Sequence, residues 1–163
     1  MKLDWSGGEL AEGLRCYRKE EFFAAHEHWE SVWLGSQEPE KTFLQAVIQV
    51  AAAFHHLQRG NPEGARSLLR RALRRLETYP ATFGGIGVAA FREEVLGWLE
   101  TLETGRATAE RTFPEIRIRL EEWAGGMKRK LMHARKPALK SGFAGSFASF
   151  SGRRAKQTPV TKS

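Results

Sequence analysis

The chain has 163 residues, 41% hydrophobic and 28% charged, a balance that predicts one soluble globular domain around a single core. No run approaches the roughly 18 uncharged apolar residues of a membrane span, the opening MKLDWSGGEL lacks the apolar centre of a signal peptide, and the single cysteine, Cys16, excludes an internal disulfide framework, so a cytoplasmic protein without membrane contact is expected. The net charge of +7 is unevenly placed: residues 1–133 hold 19 basic and 19 acidic side chains, whereas residues 134–163 hold seven basic and no acidic ones.

Helical periodicity dominates the chain, and strand-like alternation is almost absent apart from IRIRL at 116–120. A first helix is predicted from Glu9 to about Lys19, with Leu10, Leu14 and Tyr17 at helical spacing, and a second from about Glu20 to Leu34, ended by Gly35. Pro39 suits the start of a third, EKTFLQAVIQVAAAFHHLQR, whose apolar character predicts a central position and which stops at Gly60. Asn61 as cap, with Pro62 and Glu63 in the first turn, opens a fourth helix through about Thr78. Its inner stripe is Leu68, Leu69, Ala72, Leu73 and Leu76, and its outer side is rich in arginine. FGGIG at 83–87 reads as a loop before a fifth helix from about Val88 to Glu103.

A sixth helix is expected after Pro114, with Ile116, Leu120, Trp123, Met127 and Leu131 on one face, although IRIRL at 116–120 alternates as a strand would. Residues 134–163, rich in Ser, Gly, Lys and Arg, have no amphipathic period and are expected to be a disordered basic tail. The predicted fold is all-α: one compact bundle of five to six helices built from antiparallel hairpins in residues 1–133, followed by the tail.

The polar residues of the second and third helices carry the functional question. At 100° per residue, His26 and Glu30 share a side with Phe22, Trp29 and Trp33, and on the third helix Gln45, Gln49 and His56 form one stripe. The simplest arrangement packs these two stripes together. One reading is a metal centre in which His26, Glu30 and His56 hold a divalent ion such as zinc or manganese, with Glu27 as proton acceptor and Gln49 orienting water or substrate. The other reading needs no metal: the same groups satisfy one another in a buried network that fixes how the helices dock. HEHWE places glutamate where the zinc-protease signature HExxH requires its second histidine.

EFFAAHEHWESVW at 21–33 and FLQAVIQVAAAFHHLQRGNPEGARSLLRRAL at 43–73 resemble domain-of-unknown-function family 309, often described as predicted metal-dependent hydrolases. An A-H-E-x-x-E-x-x-W pattern of that family matches Ala25, His26, Glu27, Glu30 and Trp33. Its following elements match Gln45, Gln49, His56, Arg59, Gly60, Asn61, Gly64 and Ala65. Ala24 stands where members often carry glutamate. The resemblance implies a small helical protein with a metal-assisted hydrolase site, in which Gln45, Gln49 and Arg59 would contact substrate.

Three roles follow as expectations. The first is a metal-dependent hydrolase acting on a small molecule. The second is a non-catalytic helical module that binds a protein partner and uses the polar cluster as a brace. In the third, the tail, with Phe143, Phe147 and Phe150 among its positive charges, grips nucleic acid.

Overall fold

The computed structural model describes residues 3–106, 108 and 111–119. Among these the chain forms five helices and one short hairpin: α1 (Gly8–Arg18), α2 (Phe22–Leu34), α3 (Glu40–Gln58), α4 (Pro62–Leu76), β1 (Thr82–Phe83), β2 (Ile86–Gly87) and α5 (Val88–Thr104). Each helix lies against the next in the chain, as short connections require, and the result is the expected all-α bundle.

Local chemistry accounts for the elements. Asn61 Oδ1 accepts from Gly64 N at 2.9 Å and caps α4, Pro62 occupies its first turn, and Arg74 and Arg75 sit at its negative end. Helix α3 buries residues around most of its circumference, including Phe43, Leu44, Val47, Val50 and Phe54, because it is flanked by α2 on one side and α4 on the other. Trp29, fully buried, joins α1 to α2: its indole donates to Leu10 O at 3.2 Å and packs edge-on against Trp5.

FGGIG is a hairpin rather than an open loop. Gly84 and Gly85 adopt φ of 56° and 83°, the left-handed pair that a two-residue turn of this kind demands, and Phe83 pairs with Ile86. The expected sixth helix does not form where it can be observed. Residues 115–119 run extended beside the hairpin: Gly87 N donates to Arg117 O, Arg119 N donates to Gly85 O, and Ile118 bridges to Ile86. Ile116 is buried between exposed Glu115 and Arg117, so a period of two prevails over the helical one. The rest of that helix, Leu120 to Leu131, and the basic tail lie outside the described residues.

Candidate functional site

Gln45 and Gln49 do not face α2. Arg75 of α4 reaches both, its Nε donating to Gln45 Oε1 at 3.2 Å and its Nη1 to Gln49 Oε1 at 3.1 Å. Residues of α3 that meet α2 include Lys41, whose ammonium lies 5.0 Å from the Trp33 ring centre, Phe54, whose ring is 5.5 Å from that of Phe22, and His55, whose ring is 5.2 Å from that of Phe23. Gln45 and Gln49 sit about 40–120° further around α3 than Lys41 and His55, which turns them toward α4. The amide stripe is therefore a brace between α3 and α4.

On α2, His26 is half-buried and stacks on Phe23 at 6.1 Å. Its Nδ1 is shielded and, among the described residues, has no hydrogen-bond partner, as is true of Trp33 Nε1 two turns on. Glu27 and Glu30 are exposed. They lie between Phe23, 52% exposed, and Leu34, 68% exposed, within about 60° of one another around the helix. This side of α2 is a strip with apolar ends and an acidic middle. His28, given no role by the sequence, bonds Glu9 at 2.6 Å and ties α2 to α1.

His56 and Arg59 do come together. With Phe23, His55 and Asn61 they line a surface recess of about 490 Å³ where α3 ends and α4 begins. The cap fixes the chemistry here. Asn61 Oδ1 is engaged by Gly64 N, so its amide NH₂ must be the group facing His56 Nδ1 at 3.0 Å. Nδ1 then accepts, and the ring proton resides on Nε2. Phe23 and His55, absent from the predicted site, were visible in sequence only as an aromatic preceding the family pattern and as the first half of a histidine pair.

The ligand set implied by the family resemblance does not fit this arrangement. A metal-bound histidine normally donates its second ring N–H to an acceptor, whereas the second nitrogen of His56 faces an amide donor. His26 and Glu30 lie on α2, and among the described residues no group of three or more His, Cys, Asp or Glu side chains is placed to hold one ion. Glu27, expected as proton acceptor, points no nearer to such a group, being exposed on the strip.

A larger cleft of about 640 Å³ lies between α1, α3, α5, Thr108 and residues 111–116. Three of its polar groups are committed: Tyr17 donates to Pro114 O at 2.9 Å, Trp98 Nε1 to Thr112 O at 2.9 Å, and Arg111 Nη1 to Thr101 Oγ1 at 3.3 Å. Burial, reinforced by the charge of Glu94, pushes the Tyr17 phenol far above its ordinary range, and burial also raises the Cys16 thiol. Neither is a reactive group at neutral pH. No described helix is long and apolar enough to cross a membrane.

Comparison with known proteins agrees with the resemblance read from the motifs. Residues 10–68 match the family described as "Domain of unknown function (DUF309)". A stretch of 95 residues is 34% identical to an uncharacterized protein of Aquifex aeolicus (strain VF5), covering 56% of this chain and 28% of that protein. The matched family region runs from α1 into α4 and includes the α2 strip, the amide stripe and the recess.

Proposed function

We propose that this chain is a non-catalytic helical interaction module, and that the α2 strip receives a basic amphipathic helix from a protein partner. The observation that carries this reading is the layout of the strip, with Phe23 and Leu34 at its ends and Glu27 and Glu30 between them, all on one helix face. Large apolar side chains left open on one face mark a docking surface, and Phe23 and Leu34 stand about three turns apart along it. Two carboxylates between them favour a partner with lysine or arginine at the matching positions.

Charge also argues against self-association here. An antiparallel pairing of two α2 helices that set Phe23 against Leu34 of a second copy would oppose Glu27 to Glu30 twice, and like charges placed so close disfavour the pairing. The polar residues of the family pattern fit the same reading, since Gln45 and Gln49 are engaged by Arg75 and serve to hold α3 against α4.

The test is a titration of the ¹⁵N-labelled full chain with a synthetic amphipathic helix bearing leucines about three turns apart and lysines between them. Saturable shifts along residues 23–34, weakened by raised salt and lost in Glu27→Lys/Glu30→Lys, are expected. Equal binding by the charge-reversed variant, or no shift on α2, refutes the reading. A thermal shift on adding zinc or manganese that vanishes in His26→Ala would favour the metal reading instead.

A further inference from the structure

The recess at the junction of α3 and α4 differs in kind from the α2 strip. Its lining brings the Arg59 guanidinium together with His55, His56 and the Asn61 amide. Arg59 sits exposed at the end of α3 and, among the described residues, makes no ion pair with a carboxylate. Its guanidinium presents a planar fork of donors suited to an oxyanion. His56 adds Nε2–H, because the cap of α4 commits Asn61 Oδ1 to Gly64 N and so commits His56 Nδ1 to accepting from the Asn61 amide. Among the described residues, no acidic side chain lines the recess.

The remaining wall is aromatic. Phe23 leaves 52% of its surface open, with its ring held at 5.2 Å from His55 and 6.1 Å from His26. A ring braced on two sides by neighbouring rings loses little freedom when a further ring stacks on its open part. A volume of about 490 Å³ lies within the range of small-molecule sites.

The geometry points to a binding site for a small planar ring carrying an oxyanion: the ring stacks on Phe23 and His55, and the anionic oxygens take the Arg59 fork and His56 Nε2–H. Aromatic carboxylates and nucleoside monophosphates share this chemistry. Asn61 is a positioning residue, setting which nitrogen of His56 bears the proton. The site shares Phe23 with the proposed α2 strip, whereas Arg59, His56 and Asn61 lie off it, so the two readings are told apart at those three residues.

The experiment is an NMR titration of the ¹⁵N-labelled full chain with three probes: benzoate, adenosine monophosphate and inorganic phosphate. One or both ring-bearing anions should give saturable shifts at the amides of residues 55–61 and Gly64, with Kd on the order of 0.1–1 mM for so small an interface. The stronger of the two identifies the source of the oxyanion. Phosphate alone should bind about tenfold more weakly for want of a stacking ring.

Arg59→Gln, at an exposed helix end, should keep the fold and weaken binding about tenfold or more. The same variant should leave the amphipathic-helix titration unchanged, so failure of one proposal is separable from failure of the other. A long-range ¹H–¹⁵N spectrum should place the neutral His56 proton on Nε2. The proposal is overturned if neither ring-bearing anion gives a saturable shift, if Arg59→Gln binds as well as the parent, or if the His56 proton resides on Nδ1.

Discussion

Arg75→Met separates a brace from a site under construction for a ligand. The substitution keeps an unbranched apolar stem while removing the guanidinium that donates to Gln45 Oε1 at 3.2 Å and Gln49 Oε1 at 3.1 Å. A hydrogen bond to a charged group contributes about 1.5–3 kcal/mol when well shielded. Arg75 and both glutamines are only half-buried, so water recovers part of that loss for each of the two bonds. We expect a net destabilisation of about 1–2 kcal/mol, or a fall in Tm of roughly 2–8 °C.

Urea denaturation is the assay, read as a lower midpoint at an unchanged m value. A double-mutant cycle with Gln49→Met should return a coupling of about 0.5–1.5 kcal/mol, since the two side chains touch. A stability change of Arg75→Met below about 0.5 kcal/mol together with zero coupling to Gln49 refutes the brace. The amide stripe would then be free for another purpose.

Two further outcomes test the packing around the site. Gly13→Ala places a Cβ 2.3 Å from Trp29 Nε1 and 2.5 Å from its Cδ1, on a fully buried ring. The gain of about 1 kcal/mol in helix propensity is outweighed by overpacking, and denaturant titration should show a net loss of about 1–3 kcal/mol, whereas a stabilised variant contradicts the Trp29 packing. Tyr17 has its folded pKa raised, so the folded state holds the proton that the unfolded chain releases above about pH 10. Stability should be level near neutrality and fall as pH rises past the ordinary range of the Cys16 thiol and then of Tyr17, and Tyr17→Phe should flatten the later fall while leaving the shares of Cys16 and Tyr79, which burial also raises.

Much of the architecture is legible from single residues. Asn61, Pro62 and Gly60 mark the α3–α4 turn, and the apolar circumference of α3 marks it as central, because both signals are local. Periodicity also groups Gln45, Gln49 and His56 on one stripe, but it cannot say which neighbour that stripe meets. That choice depends on the rotation of α3 between α2 and α4, which arises from packing of residues distant in sequence. Gln45 and Gln49 accordingly meet Arg75 of α4, where the sequence expectation set them against His26 and Glu30.

The hairpin was missed although its signal is local: two glycines between Phe83 and Ile86 are the pattern of a tight two-residue turn. IRIRL carried both periods, and its pairing with residues 85–87 decided between them. The tautomer of His56 was beyond sequence altogether, since it follows from a cap on the next helix.

The hairpin also determines where the described chain comes in and goes out. Trp5 Nε1 donates to Gly84 O at 2.8 Å, and Arg119 N donates to Gly85 O at 2.8 Å, so residues 5 and 119 are moored to adjacent carbonyls of one turn. A unit with its two connections side by side can be spliced into a surface loop of a host without stretching either, and it tolerates circular permutation for the same reason. One clasp therefore holds both ends of the described helices, and a break in the hairpin would release the two together.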